Sequence, residues 1–191
     1  KVYFRENWFM SVLNILFVGS DDVARSIAKK SDSRDVDNYV YKDLKEDGAF
    51  STISILRPNN YPEKPKPFFT SLTIPDFGII EINKVDGAFG EVIVSMACAG
   101  INEGLIVVNP SEGEWVDEEQ VKGLLQQADL SNWKFIENDG VIVREKLIEV
   151  LNKINPNDDE GFVVAVDQAF TVKGVGLVAV GNVQSGKVNK H

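Results

Sequence analysis

The chain has 191 residues, enough for one or two domains with a buried core, and it contains no apolar run near the roughly 20 residues that a membrane span requires. The formal net charge of −9 argues against non-specific binding to nucleic acid, although it leaves room for a local basic patch. One cysteine, Cys98, and one histidine, His191, exclude an internal disulfide and leave almost no material for Cys–His or Ser–His–Asp catalysis or for histidine-based metal sites.

The N-terminal segment, residues 1–11, is predicted to be an extension before the first domain. It lacks the long apolar region and the small-residue cleavage site of a secretory signal. We therefore expect a cytoplasmic protein that has no membrane partner.

The first predicted domain alternates strands with helices. Residues 12–18 form a short apolar run that ends at Gly19, and helix-forming residues follow, which indicates a strand, a tight loop and a helix. Further strands are predicted at 50–56, 77–82, 104–108 and 133–137, and further helices at 91–100, 117–128 and 143–154. This alternation predicts an α/β domain over residues 12–156, with helices on both faces of a mainly parallel sheet and Gly19 at the carboxyl end of a central strand.

The hydrophobic period changes after the last predicted helix. Residues 157–161 belong to a polar linker, and residues 162–191 are rich in β-branched residues and glycine, with no helical spacing. We predict a glycine-bent antiparallel hairpin there, which begins a second, all-β domain. A dinucleotide-binding fingerprint is excluded because Gly174 and Gly176 lack a third glycine at the right spacing and no helix follows.

The tail also carries the most specific pattern in the sequence. Its glycines and alternating valines resemble the opening strands of domain 2 of translational GTPases, the β-barrel of elongation factor Tu and its relatives. The matching residues are Asp167, Phe170, Val172, Gly174, Gly176, Val178, Gly181, Val183, Gly186 and Val188. An unrelated glycine-rich hairpin is the alternative. Two strands are too few to close a barrel, so we expect the chain to be part of a longer protein.

The order of elements upstream is similar to that of a G domain. The segments 29–43 and 59–62, together with Trp133, resemble a divergent archaeal group of elongation-factor-Tu-like proteins similar to the selenocysteine-specific factor, which includes a pyrrolysine-associated member. The resemblance covers residues 12–188. It implies a P-loop NTPase-like domain followed by the start of a domain 2 barrel.

The nucleotide motifs that this resemblance implies are altered. A P-loop needs glycines so that backbone N–H groups can surround phosphates, and a lysine for the β- and γ-phosphates. Gly19 and Ser26 are retained, but Ala24 replaces the second glycine and Arg25 replaces the lysine. A plain strand-to-helix turn, in which Asp22 favours the helix N-terminus, is the alternative interpretation.

Two later motifs are altered as well. Arg57 stands where the resemblance implies an aspartate that reaches magnesium through water, and asparagine stands where active members have the histidine that positions the attacking water. In the guanine motif Asn109 is kept, Pro110 replaces the lysine and Glu112 replaces the aspartate. The remnant nucleotide-binding residues are predicted to be Gly19, Ser20, Asp22, Arg25, Ser26, Asn109 and Glu112.

Two functions of different classes follow. The first is an elongation-factor-Tu-like binding protein, a pseudo-GTPase that acts in translation on tRNA or the ribosome and needs no cofactor. The second is a weak or atypical GTPase that uses GTP or GDP and magnesium. The altered charges favour the first function, because phosphoryl transfer depends on positioned charge. An interaction module unrelated to translation is a third hypothesis, since fold does not fix function.

Overall fold

A computed structural model describes residues 11–44, 50–113, 115–153 and 163–185. The chain divides into two compact units, with the boundary between Asn152 and Lys153. The predicted linker at 157–161 and nearly all of the predicted N-terminal extension lie outside the described residues.

The first unit is built on a seven-stranded sheet. Its strands are β1 (Ser11–Val18), β2 (Lys29–Ser33), β3 (Val36–Leu44), β4 (Phe50–Pro58), β5 (Phe77–Ile82), β6 (Glu103–Val108) and β7 (Lys134–Ile136), in the order β2-β3-β4-β1-β5-β6-β7. β1 pairs in parallel with β4 and β5, and β6 pairs in parallel with β5 and β7. The predicted mainly parallel sheet is therefore confirmed, and Gly19 directly follows its central strand.

Five helices cover the two faces of this sheet. They are α1 (Asp21–Ile27), α2 (Pro65–Ser71), α3 (Gly87–Cys98), α4 (Glu118–Gln127) and α5 (Gly140–Lys153). One core contains α1 and α5, the other contains α2, α3 and α4, and β1 contributes Ile15 to the first and Leu16 to the second. The prediction of helices on both faces is confirmed. None of the helices described is long and apolar enough to cross a membrane.

The structure adds a hairpin that the sequence pattern did not predict. β2 and β3 pair antiparallel, and β3 also pairs antiparallel with β4, so that β2 is the edge strand of the sheet. The fully buried positions of β3 are Asp37 and Tyr39, which carry polar groups. Because a strand is recognised from alternating apolar residues, a strand that buries a carboxylate does not show the pattern.

The packing of Trp133 accounts for the presence of glycine at two positions in the middle of the sheet. A Cβ built at Gly78 would lie 2.4 Å from the indole ring of Trp133, and one built at Gly104 would lie 2.7 Å from it. The indole, only 5% exposed, thus packs directly against the backbones of β5 and β6. These glycines are required by packing.

The second unit is a two-stranded antiparallel hairpin of β8 (Val163–Val172) and β9 (Gly176–Ser185). Gly174 lies in its turn and Gly176 is the first residue of β9, and their φ angles of 85° and 102° are conformations that glycine adopts without strain. The predicted antiparallel hairpin is confirmed over these residues. Its continuation into a barrel stays a prediction, and the matching positions 186 and 188 lie outside the described residues.

Candidate functional site

The loop after β1 is very short. β1 ends at Val18 and α1 begins at Asp21, because Ser20 already acts as the helix N-cap: its Oγ accepts a hydrogen bond from the Val23 N–H at 3.3 Å. Only Gly19 and Ser20 therefore connect the strand to the helix. A phosphate-binding loop needs several residues of wrapped backbone at this point.

Three predicted site residues lie on α1. Arg25 and Ser26 are in its last turn, whereas a phosphate-binding lysine and its neighbouring hydroxyl belong at the start of such a helix. Arg25 pairs with Asp21, and Ser26 Oγ donates to the Val23 carbonyl at 2.7 Å. Asp22 is exposed in the first turn. Because the loop is short, these three side chains do not lie where the corresponding residues of a phosphate-binding loop would lie.

Glu81, near the end of β5, joins two predicted parts of the site. Its Oε2 accepts a hydrogen bond from the Ser20 N–H at 2.5 Å, and its Oε1 accepts one from Asn109 Nδ2 at 2.6 Å. A Cβ built at Gly19 would lie 2.6 Å from the Cβ of Glu81. The carboxylate therefore lies against Gly19 and accepts from a backbone N–H that a phosphate-binding loop would direct to its ligand.

Sequence reasoning missed Glu81. The residue is the one charged position in the strand sequence FGIIEI, which reads as an ordinary buried strand. A signal was available, because polar side chains near the carboxyl ends of parallel strands often belong to the ligand-binding edge of an open α/β sheet. The hydrogen bonds of Glu81 with Ser20 and Asn109 could not be predicted from the sequence.

Arg57, near the end of β4, is fixed on the other side of the same loop. Its Nε donates to the Gly19 carbonyl at 2.7 Å, and its Nη1 donates to Asn59 Oδ1 at 2.6 Å and to Asp37 Oδ2 at 3.3 Å. The side chain is only 17% exposed. The residues present do not fit a magnesium ion here, because a fixed guanidinium repels a divalent cation and supplies no oxygen ligand.

Asp37 is the centre of a partly buried ion cluster, which we define as Asp21, Lys30, Asp37 and Arg57. Asp37 is 2% exposed, and its carboxylate accepts from Lys30 Nζ at 2.6 Å and from Ser33 Oγ at 2.7 Å. Burial on its own raises the pKa of Asp37, but hydrogen bonds, led by that from Lys30, outweigh it and lower the pKa to about 2. The carboxylate is therefore ionised at neutral pH.

Asp21 connects α1 to this ion cluster. It accepts a hydrogen bond from the Tyr39 hydroxyl and pairs with Arg25 and with Lys30, the latter at 3.0 Å. The hydrogen bond from Tyr39, followed by those from Arg25 and Lys30, holds the pKa of Asp21 well below its usual range. Burial and the bond to Asp21 raise the pKa of Tyr39 to about 12. The ion cluster thus ties α1 to the β2–β3 hairpin.

A small cavity opens beside the Gly19–Ser20 loop. Its lining includes Gly19, Ser20, Arg57, Tyr61 and Glu81, and its volume is about 210 Å³. Pockets that bind drug-sized or cofactor-sized ligands usually measure roughly 300–1,000 Å³. In this arrangement the cavity is small for a whole nucleotide.

The guanine motif is only partly assembled at this edge. Asn109 is tied to β5 twice, through its side chain to Glu81 and through its backbone N–H to the Ile82 carbonyl at 2.9 Å. Glu112 is exposed in a turn that follows. The structure therefore brings Gly19, Ser20 and Asn109 together through Glu81, while the nucleotide-binding role of the seven predicted residues stays a prediction.

The chain is similar in sequence to one relative and in structure to several solved proteins, two of which are described below. An uncharacterized protein of Methanocaldococcus jannaschii is 31% identical over 177 residues, which are 92% of this chain and 54% of that protein. The chain thus spans about half the length of this relative. No family model matches the chain.

Two of the similar solved structures are translation elongation factors. A bacterial selenocysteine-specific elongation factor EF-Sec has a TM-score of 0.67 at 16% identity, covering 92% of this chain and 35% of that one. The elongation factor SelB of Methanococcus maripaludis, in complex with the GTP analogue GPPNHP, has a TM-score of 0.59 at 18% identity, covering 91% and 42%. At these identities the likeness is one of fold: the chain has the fold of the matching parts of these two elongation factors.

Proposed function

We propose that this chain belongs to a translation-factor-like protein that works by binding tRNA or the ribosome, on a G-domain scaffold that no longer hydrolyses GTP. One observation carries the proposal. Arg57 and Glu81 hold the two sides of the Gly19–Ser20 loop with protein side chains, at the edge where a GTPase holds magnesium and phosphates.

The chemistry of phosphoryl transfer supports the loss of hydrolysis. Catalysis there depends on a metal ion, a lysine and a water-positioning group that act together on a negatively charged transition state. In this chain Arg57 replaces the metal-linked aspartate, and Arg25 is paired with Asp21 in the last turn of α1. Each change weakens a different part of the catalytic arrangement, so their combination favours a binding function.

The proposal of a partner in translation rests on fold and on the similar proteins. Both similar structures are elongation factors, and each matches more than nine-tenths of this chain. The net charge of −9 disfavours contact with RNA over the whole surface. We therefore expect a local contact surface on this chain.

A second candidate, a weak GTP-binding protein, is favoured by one observation. Ser20 and Asn109, from the two motifs that would hold phosphate and guanine, do converge on the same edge of the sheet. Nucleotide binding would require Glu81 to leave this position. The carboxylate would then lose two charge-assisted hydrogen bonds, which makes the displacement unfavourable.

Cosedimentation with ribosomes and filter binding to tRNA test the proposed function. We expect saturable binding to one of the two. The dissociation constant should change by less than about twofold when GTP or GDP is added, because the proposed contact surface does not depend on a bound nucleotide. Affinity for RNA should fall as salt rises. An active elongation factor, whose binding does respond to GTP, is the control. No saturable binding to either partner, or a nucleotide effect of about tenfold or more, would contradict the proposal.

A further inference from the structure

The Gly19–Ser20 peptide unit is held at both of its polar groups. Its carbonyl oxygen, that of Gly19, accepts from Arg57 Nε at 2.7 Å, and its N–H, that of Ser20, donates to Glu81 Oε2 at 2.5 Å. A planar peptide bond orients these two groups in opposite directions. The loop is therefore fixed between β4 on one side and β5 on the other.

Glu81 extends this connection to the loop after β6. Its second oxygen accepts from the Asn109 side chain at 2.6 Å, so two donors from separate loops converge on one carboxylate. An ionised carboxylate suits this position because it only accepts hydrogen bonds, and bonds to a charged acceptor are stronger than neutral ones. In a protein that binds a nucleotide at this edge, the ligand itself would connect the two loops.

We propose that Glu81 is an internal crosslink that substitutes for a ligand: it holds the Gly19–Ser20 loop and the Asn109 loop in one arrangement without any nucleotide. This inference deepens the proposed function, on which it rests, because it gives the site a fixed state that no ligand controls. Packing contributes to the crosslink, since a Cβ at position 19 would lie within 2.8 Å of Glu81 and of the buried Phe17 ring.

An exchange of donor and acceptor tests the crosslink. In Glu81→Gln the charge is lost, and the new amide can meet both partners only if the Asn109 amide rotates to present its oxygen, so the bonds that remain are neutral and weaker. In Asn109→Asp two carboxylates face each other. The double variant restores the match, because the new amide at position 81 accepts from the Ser20 N–H and donates to the new carboxylate at position 109.

The measurement is amide hydrogen exchange of Ser20, followed by NMR in the purified chain. We expect exchange to be faster by about tenfold or more in each single variant, and to return to within about threefold of the native rate in the double variant. The exposed Glu103 on β6 gives a matched control, and Glu103→Gln should leave the Ser20 rate within about twofold. The thermal midpoints of the same five proteins give a second readout, and we expect them to be lowest in the two single variants.

Two results would overturn the crosslink: an unchanged Ser20 exchange rate in Glu81→Gln, or a double variant that exchanges as fast as the single variants. These outcomes are separate from those of the proposed function. A native chain that binds neither tRNA nor ribosomes, yet shows the expected exchange rates in the variants, would contradict the proposed function and leave the crosslink supported.

Discussion

Asp37 shows how one residue connects the ion cluster to stability. The carboxylate is almost fully buried, and its charge is balanced by Lys30 and by Arg57. Removing one partner from a buried ion group costs more than removing an exposed pair, because the remaining charges stay buried without compensation. Lys30 and Arg57 would then lie beside each other with less negative charge between them.

The first prediction concerns Asp37→Asn. Because the folded pKa of Asp37 is lowered to about 2, its carboxylate contributes stability that is present above the unfolded pKa and lost as pH falls through the folded one. We expect Asp37→Asn to lower the free energy of unfolding by about 3 kcal/mol at pH 7. The difference from the native chain should shrink by about 2 kcal/mol between roughly pH 4 and pH 2.

Urea unfolding at a series of pH values measures this difference. Asp32→Asn, on the same hairpin but with a side chain that is 57% exposed, is the control and should change the free energy of unfolding by less than about 0.5 kcal/mol. A constant gap between Asp37→Asn and the native chain over the whole pH range would contradict the role assigned to Asp37.

Residue types alone indicated part of the candidate site. Arg57 and Asn109 could be singled out because each stands at a motif position whose chemistry is known, and both lie at the ligand-binding edge of the sheet. Glu81 could not be singled out in this way. Its role depends on two donors that are 61 and 28 residues away in the sequence, and no local spacing pattern contains them.

At the scale of elements, the strands and helices with strong apolar patterns were the predictable ones. β1, β5 and β6 are buried on both faces and appear in the sequence as apolar runs. The β2–β3 hairpin was missed because its buried positions carry a carboxylate and a phenol. The ion cluster that makes this burial favourable exists only in the folded chain.

The second prediction compares two glycines that occupy different elements. Gly78→Ala on β5 places a Cβ 2.4 Å from the Trp133 ring, so we expect a loss of about 1–3 kcal/mol in the free energy of unfolding. Gly123→Ala inside α4 meets no atom within 4 Å, so it should gain about 0.5–1 kcal/mol from helix propensity.

Urea unfolding followed by tryptophan fluorescence gives both values. Gly123→Ala is the matched control, since the added group is the same. Equal effects of the two substitutions would show that Trp133 does not pack against β5 as described.

At the scale of the whole molecule, the fold and the site lead to different expectations. The seven-stranded sheet and its helices have the fold of the matching part of a selenocysteine-specific elongation factor. The candidate site, in contrast, has its loop held by Arg57 and Glu81 and its helix started at once by Ser20. We expect this combination, a G-domain fold whose site is filled by the protein's own side chains, in a protein that functions by binding partners at its surface.

Calorimetric titration of the purified chain with GTP, GDP and ATP, with and without magnesium, tests this account most directly. We predict dissociation constants of about 1 mM or weaker, similar for guanine and adenine nucleotides and unchanged by magnesium, because the fixed Arg57 guanidinium repels a divalent cation and Arg57 and Glu81 already hold the loop at this edge. A dissociation constant of about 1 μM for GTP that requires magnesium and exceeds the affinity for ATP at least about tenfold would contradict it.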